Sequence, residues 1–192
     1  MKRWLTLALS LALVLNTANG AALASSSAPP ALLYFAGSGP PCTVPAPAAC
    51  PDVAVAPNGD SVAISGAGSI TQPKSATGSG TFVHRDAAGN IRGRGTWTAS
   101  DLISFHFYGC GVDASGNPLP DFLCGGQALI AVHLVADGGF QTDGVLTVDC
   151  EIGPKVPGGA QPGGAVEGVT LLVPGIAHFN KSASGFTVFL LP

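Results

Sequence analysis

The chain has 192 residues, of which only 10% are charged, with 8 Lys and Arg against 11 Asp and Glu. This acidic balance disfavours nucleic acid as a partner, because nucleic-acid binding depends on neutralising phosphates with basic side chains. Glycine (27 residues) and proline (16 residues) are abundant, whereas helix-forming charged residues are scarce. The composition therefore favours short strands joined by turns, that is, an all-β fold.

The segment 1–24 has the three parts of a secretory signal peptide. Lys2 and Arg3 precede an apolar run over 4–15, and small residues follow as far as Ala24. The apolar run is shorter than the roughly 20 residues of a membrane-spanning helix, and no later stretch reaches that length without polar interruption. We therefore expect cleavage near Ala24, a secreted or periplasmic (cell-envelope) location, and no integral membrane segment after the signal is removed.

Residues 25–51 form a proline-rich arm ahead of the main domain. Proline removes the backbone donor that helices and inner strands need, so extended chain is expected there. The apolar cluster 32–35 is the one candidate strand of the arm, at an edge of the sheet. Residues 52–192 are predicted to form a single β-domain that begins with a hairpin around Asn58-Gly59, a strong turn signal between apolar runs.

A short phrase, Gly-x-Gly followed by Ser or Thr and a large apolar residue, occurs at 66–70, 78–82 and 93–97. Alternate residues of a strand share a face, so the glycines and large residues lie on one face and the Ser, Thr and Arg residues on the other. Phosphate-binding glycine loops lie between a strand and a helix, whereas each copy here continues into a strand. The phrase therefore indicates structure, and nucleotide binding is not expected.

Antiparallel pairing of these strands is predicted to set each large side chain over a glycine of its neighbour. In the first hairpin we expect Phe82 to face Gly66. In the second we expect Phe82 to face Gly93 and Trp97 to face Gly78. Such aromatic rescue compensates for the side chain that glycine lacks.

The rest of the chain keeps the alternation of strands and turns, with strand patterns over 102–108, 127–136, 145–152, 166–173 and 185–191. In 145–152 the polar residues Thr147, Asp149 and Glu151 alternate with apolar ones, and we expect them to face outward. No amphipathic helix is predicted after the signal. The pattern predicts a single antiparallel β-barrel or β-sandwich of seven to nine strands, built on the glycine-rich meander.

An odd number of cysteines in an exported chain leaves at least one unpaired within the molecule. Cys42 and Cys50 bracket a short proline-rich loop, and Cys110 and Cys124 bracket a second loop, so these are the preferred disulfides. Cys150 then remains as a free thiol on the apolar face of its strand, where a buried inert thiol is the simpler interpretation. An alternative connectivity joins Cys150 to Cys110 or Cys124.

No set of residues has the spacing of a catalytic, metal or cofactor motif. The histidines occur singly, without His-x-His or His-x-x-x-His spacing, and there is no Cys-x-x-Cys, so neither a metal nor a cofactor is expected. His84 lies on the glycine face and is a general-base or ligand-contact candidate if that face lines a cavity. A histidine bonded to backbone or water is the simpler interpretation. His106 and Tyr108 complete the set of residues to test for catalysis.

Arg92 and Arg94 lie in one hairpin, on the face opposite the glycines. They are candidates for binding an anion or an acidic glycan, although a solvated basic hairpin is the simpler interpretation.

The chain is therefore expected to be an exported, non-enzymatic β-domain that binds a small ligand, a glycan or a protein of the envelope or the extracellular medium. Two alternatives belong to other classes. One is a small-molecule cyclase or isomerase that uses a barrel cavity, and the other is a structural envelope or matrix protein. A cavity on the glycine face separates the first alternative from the rest, because without it an enzyme of this kind has no site.

Overall fold

The structure is a computed structural model that describes residues 27–43, 50–72, 74–157 and 167–192. Eleven antiparallel strands form one sheet, so the all-β class is confirmed. The predicted signal peptide lies outside the described residues. The strands are β1 (Ala31–Ala36), β2 (Asp52–Val55), β3 (Ser61–Thr71), β4 (Ser75–Arg85), β5 (Ile91–Cys110), β6 (Leu123–Ala136), β7 (Gln141–Cys150), β8 (Gly168–Val173), β9 (Ala177–Phe179), β10 (Lys181–Ser184) and β11 (Thr187–Leu190).

The strands outnumber the seven to nine predicted, and two of them, β9 and β10, have only three and four residues. Strands this short do not show alternation in a sequence. Elsewhere one strand replaces two predicted ones. The glycine phrase at 93–97 and the strand pattern over 102–108 belong to one continuous strand, β5, whose register shifts at three places along its pairing with β6. These irregularities interrupt the alternation and account for the predicted break.

Four tight turns share one backbone design, at 56–60, 86–90, 113–117 and 136–140. In each, the first N–H donates to the fifth carbonyl oxygen, and the fourth residue is a glycine whose N–H donates to the first carbonyl oxygen. These glycines have φ between 82° and 88°, the left-handed region that glycine enters without strain. This is a type I turn followed by a glycine bulge, and its occurrence at 56–60 agrees with the hairpin predicted around Asn58-Gly59.

Pairing runs from β3 through β4, β5, β6, β11 and β1 and then returns to β3. One edge of β3 is shared between two partners, β2 along Ser61–Ile64 and β1 along Gly66–Thr71, while its other edge pairs with β4. One edge of β6 is shared in the same way between β11 and β7. The sheet therefore continues in two directions beyond this circuit, through β2 to β10 and through β7 to β8 and β9.

The cluster 32–35 lies in β1, which is an inner strand and not the predicted edge strand. It pairs with β3 on one side and β11 on the other. Leu32, Tyr34 and Ala36 are buried because both neighbours and the core cover this strand. Proline, the reason for expecting an edge, is confined to the residues before and after β1.

The assignment of faces on the glycine strands is confirmed, but the predicted register is wrong by two residues in both hairpins. In the first hairpin Gly66 pairs with Gly80 and Gly68 with Gly78, whereas Phe82 faces Ile64. The ladder continues to Thr71 and Ser75, leaving only 72–74 for the connection, and the Ser69 and Thr77 hydroxyls hydrogen-bond across it at 2.8 Å. A shift of two residues keeps every side chain on its predicted face.

In the second hairpin Trp97 faces Gly80 and Phe82 faces Gly95. Each of these glycines lies two residues along its strand from the predicted partner. The Asp86 side chain accepts hydrogen bonds from the N–H groups of Ala88 and Asn90 and stabilises a five-residue turn over 86–90. Aromatic rescue is therefore present, with each large ring over a different glycine of the neighbouring strand.

Two aromatic side chains cover the glycine block, which consists of Gly66, Gly68, Gly78 and Gly80. A Cβ atom on Gly80 would lie 2.6 Å from the Trp97 indole nitrogen, and one on Gly68 would lie 2.7 Å from the Tyr34 hydroxyl. Both rings are fully buried. The Trp97 indole also donates a hydrogen bond to the Ser65 carbonyl oxygen at 3.3 Å. The middle of the glycine face is therefore packed.

Both preferred cysteine pairs lie at disulfide distance, Cys42 with Cys50 and Cys110 with Cys124. The second pair joins directly opposite residues of β5 and β6. Among the described cysteines, Cys150 is the free thiol, and it is fully buried beside Leu146 and Val148 of the same strand face. Burial raises its pKa well above the ordinary value, which keeps the thiol protonated and unreactive.

We predict that Gly80→Val destabilises the protein by about 2–3 kcal/mol more than Ser79→Val. A side chain at Gly80 meets the Ser65 carbonyl and the Trp97 indole, whereas Ser79 is exposed on the other face of the same strand. Denaturant melts of the two variants measure the difference. Equal midpoints would contradict the packing of Trp97 over the glycine block.

Candidate functional site

Beyond Trp97 the glycine face opens into an apolar pocket of about 290 Å³. It lies where strands β3 to β9 end or begin, next to three of the glycine-bulge turns. Two of the side chains at the pocket, Phe140 and Ile176, are exposed by 59% and 55%. The pocket is lined by Val62, Phe82, His84, Arg92, Gly93, Leu134, Ala136, Phe140, Thr142, Leu171, Val173, Ile176, Ala177 and Phe179.

His84 is the titratable side chain of β4 that lines this pocket. Its Nε2 lies 3.2 Å from Oδ2 of Asp60, which comes from the turn between β2 and β3. The other Asp60 oxygen accepts the Ala87 N–H from the adjacent turn, so the carboxylate is held by two elements. The imidazole ring meets the Phe179 ring edge-on, with centroids 5.2 Å apart. His84 was predicted as a candidate on the condition that the glycine face lines a cavity. The structure places His84 at such a cavity.

Arg92 also lines the pocket, although it was expected on the opposite face together with Arg94. His84 pairs with Gly93 and Arg85 with Ile91, so Arg92 is the extra residue of a bulge and has no cross-strand partner. A bulge redirects the side chain of the extra residue. Arg94 keeps the predicted outward direction, and its Nε donates to Oδ2 of Asp137 at 3.1 Å in an exposed ion pair.

The structure does not bring His106 and Tyr108 to this pocket. Both lie at the far end of β5, more than ten positions beyond Gly93. His106 is exposed, whereas Tyr108 is buried beside Asp149. Of the three candidate catalytic residues, only His84 therefore lines this pocket.

Three carboxyl groups, those of the buried Asp52 and Asp149 and the half-buried Glu167, interact electrostatically outside the lining of this pocket, and sequence reasoning missed them. Asp52 of β2 is fully buried, and both of its carboxyl oxygens are buried with it. Burial and the nearby Glu167 raise the pKa of Asp52 to about 8, although the Gly37 and Phe186 amides oppose this shift in part. Burial raises the pKa of Glu167 to about 7, with Glu151 and Asp149 contributing.

Asp149 of β7 was expected to face outward in solvent, and it is buried, with 6% of its surface exposed. Its side chain does point away from the apolar face of Cys150, so the alternation was interpreted correctly. The outer face is covered at this point, and the Thr187 hydroxyl of β11 donates to the Asp149 carbonyl oxygen. Burial raises the pKa of Asp149, which the Gln127 amide and the Tyr108 hydroxyl partly counteract.

No local signal in the sequence marks these acids as a group. Asp52 is far from Asp149 and Glu167 in the chain. The pairing of β2 with β10 and of β7 with β8 brings them together. In the described part of the chain, no group of three or more His, Cys, Asp or Glu side chains is arranged to hold a metal ion.

Comparisons of the chain with protein-family models, curated proteins and solved structures give no match. The described residues form an all-β domain with two cysteine pairs at disulfide distance and an apolar pocket on the buried face of its sheet. Within the described ranges, no helix is long and apolar enough to cross a membrane.

We predict that the stability of the folded protein falls as the pH rises from about 4 to about 8. Asp52 has a pKa of about 8 in the folded state against an ordinary value of 3.8. The folded protein therefore binds more protons than the unfolded chain between these pH values, and its free energy of unfolding decreases with pH. Asp52→Asn should remove a loss on the order of a few kcal/mol and flatten the profile.

Thermal melts between pH 4.5 and 8.5 test this prediction. The control is Asp101→Asn, which replaces an exposed carboxylate of β5. A profile of Asp52→Asn parallel to that of the wild type would contradict a buried, protonated Asp52.

Proposed function

We propose that this protein is an exported, non-enzymatic β-domain that binds a small apolar ligand with an anionic group in the pocket beside His84. The observation that supports this most is the pocket itself: ten of its lining side chains are apolar, and the polar ones are His84, Arg92 and Thr142. Binding sites for small molecules typically combine an apolar lining with a few polar groups that orient the ligand.

The size of the pocket supports a small ligand. Its volume of about 290 Å³ is at the lower end for ligand sites, which span roughly 300–1,000 Å³. The Phe82 and Phe179 rings enclose it from two strands, and the exposed Phe140 and Ile176 extend apolar surface outward from it. An apolar chain of moderate length is the ligand that this surface fits, because its burial requires no hydrogen bonds.

Arg92 supports an anionic group on that ligand. Arg92 is the extra residue of a bulge and lines the pocket, whereas Arg94 two residues away is paired with Asp137. The Asp86 carboxylate of the neighbouring exposed turn attracts Arg92 electrostatically. Arginine presents a planar fork of donors that matches a carboxylate. The Arg92 and Arg94 pair predicted from the sequence is thus reduced to Arg92 as the ligand contact.

The closed circuit of pairing supports a barrel in preference to a sandwich. A sandwich consists of two separate sheets, whereas here pairing returns to β3 after passing through five other strands. We propose that the pocket is one mouth of this barrel. The two cysteine pairs at disulfide distance are compatible with the proposed extracellular location.

Octanoate binding tests the proposal, with Gly93→Leu as the blocking variant. Gly93 lines the pocket, and a Cβ atom placed there meets no described atom within 4 Å, so a leucine side chain fills the cavity without overpacking. We expect calorimetric titration to give at least about tenfold weaker binding in Gly93→Leu. Gly138→Leu is the matched control, because this turn glycine has equal free space and lies outside the pocket.

The same titration isolates the anionic contact. Arg92→Ala should weaken the binding of octanoate and leave that of octanol unchanged, and Arg94→Ala should affect neither. Absence of octanoate and octanol binding to the wild-type protein would overturn the proposed function. Equal binding to Gly93→Leu and the wild type would overturn the assignment of the pocket.

A cyclase or isomerase is the second candidate, and the hydrogen bond between His84 and Asp60 favours it. A carboxylate that orients an imidazole beside an apolar cavity is the arrangement of a general base. His84 would take a proton from a carbon atom of the bound substrate, and Asp60 would stabilise the resulting imidazolium. His106 and Tyr108 have no part in this version, because they lie at the other end of β5.

We predict, for this candidate, exchange of the α-protons of cyclohexanone into deuterium oxide, with a rate that depends on His84. Proton NMR measures the exchange. His84→Gln should remove the protein-dependent rate and Asp60→Asn should reduce it, whereas His106→Gln is the matched control. A wild-type rate equal to that of His84→Gln would eliminate the enzyme candidate and leave the binding proposal intact.

The third interpretation, a structural envelope or matrix protein joined through sheet edges or Cys150, has less support. The Cys150 sulfur is fully buried, so an intermolecular disulfide would require the surrounding strands to open.

A further inference from the structure

The buried polar side chains of the described residues are concentrated at one junction of the sheet. They are Asp52, Asp149, Ser182 and Thr187, each with at most 6% of its surface exposed. The two hydroxyl residues belong to the short strands β10 and β11, and the two acids lie on β2 and β7. None of the four lines the apolar pocket. Burying polar groups is costly unless they have partners, so we looked for what this junction holds together.

Two hydroxyl groups attach residues 182–187 to neighbouring elements. The Ser182 hydroxyl donates to the Glu167 carbonyl oxygen at 2.8 Å. The Thr187 hydroxyl donates to the Asp149 carbonyl oxygen. Residues 182–187 comprise most of β10, the start of β11 and the connection between them, and we name them the clasp. Because β10 is a sheet edge whose short ladder along β2 contains a register shift, these side-chain contacts supply attachment that the ladder does not.

Two carboxyl groups reach the backbone of the clasp. The Asp52 carboxyl group packs against Gly185, where an added Cβ atom would overlap Oδ1, and the Phe186 amide faces the same carboxyl group. The Glu167 carboxyl group faces the Thr187 amide. Asp52 and Glu167 therefore hold two consecutive amide groups of one connection, from β2 and from the residue that precedes β8.

Every charged group that shifts these two carboxyl groups is another acid. Glu167 acts electrostatically on Asp52, and two further acids act on Glu167. The titratable groups around the pair are Tyr108 of β5, Asp149 and Cys150 of β7, Glu151 and Lys155 after β7, and Lys181 of β10. Both lysines are exposed, so water screens their charges. Loss of both protons therefore places like charges together in a region with little water.

We propose that the clasp is a pH-sensitive device, closed while Asp52 and Glu167 are protonated and opened locally when both ionise, with the rest of the sheet intact. In the closed state the pKa of Asp52 is raised to about 8 and that of Glu167 to about 7. Opening admits water to both carboxyl groups and returns these pKa values to the ordinary range. The closed state therefore binds more protons, and a rise in pH favours the open clasp. Phe189, buried in the core against Phe105, keeps the rest of β11 in place.

Amide hydrogen exchange of the whole protein, followed by NMR between about pH 6 and pH 8.5, tests this proposal. The protection factor, which is the intrinsic exchange rate divided by the observed one, removes the effect of pH on the exchange chemistry itself. We expect the protection factors of the Phe186 and Thr187 amides to fall at least about tenfold over this range. They should also stay at least about tenfold below that of Ile130, a fully buried residue of β6 that exchanges through global unfolding.

Two variants assign the effect to the carboxyl groups. Asp52→Asn and Glu167→Gln should each reduce the fall in clasp protection, whereas Asp101→Asn, which changes an exposed carboxylate of β5, should leave it unchanged. Glu167 is only half-buried, so its variant keeps the test available if Asp52→Asn does not fold.

Each outcome decides the proposal. A fall in clasp protection that both carboxyl variants reduce supports it. Protection that is constant between pH 6 and pH 8.5, or equal to that of Ile130 at every pH, or that falls equally in Glu167→Gln and the wild type, overturns it. The measurement uses no ligand, so its result is independent of the proposed function.

Discussion

The contact of Tyr34 and Trp97 with the glycine block is the constraint on which the rest of the structure depends. Each ring lies beside the pair of glycine strands, Tyr34 on β1 and Trp97 on β5, and each reaches over two glycines. Aromatic side chains of this size bury about 150–250 Å², worth on the order of 4–6 kcal/mol each as an upper bound. Because the rings come from strands on opposite sides of the block, the same contact that fills the core also joins β1, β3, β4 and β5 at one fixed register.

The apolar pocket is a consequence of where this packing stops. Past Trp97 the next large residue on β4 is Phe82, and beyond it His84 and Gly93 face each other across the pair of strands. Glycine contributes no side chain, and His84 is held toward Asp60, so neither fills the space above the sheet. The glycines of the repeated Gly-x-Gly phrase therefore have two different surroundings. Aromatic rings cover the glycine block and the centre is packed, whereas no ring covers Gly93 and a cavity remains.

The predictable part of this molecule is the part that depends on alternation and turn chemistry. Alternation placed Gly80, Trp97 and Cys150 on the correct face, and the same logic identified His84 as the candidate if the face were hollow. The register of the two hairpins was predicted wrongly because it depends on the length of their connections. In the second connection the Asp86 side chain accepts hydrogen bonds from the Ala88 and Asn90 N–H groups and stabilises a five-residue turn. The bulge at Arg92 could not be read from the sequence, since inserting one extra residue into a ladder leaves the pattern of residue types unchanged.

The buried acids lay outside prediction for a different reason. Alternation reports the direction in which a side chain points, and it assigns exposure only if one face of the sheet is open to water. At Asp149 the outer face is covered by β11 and flanked by β10, so a side chain that points outward is still buried. Asp52 is buried and Glu167 is half-buried in the same region, where β10 pairs with β2. The chain therefore places these carboxyl groups where β2, β7 and β8 come together, and its apolar cavity where strands β3 to β9 begin or end.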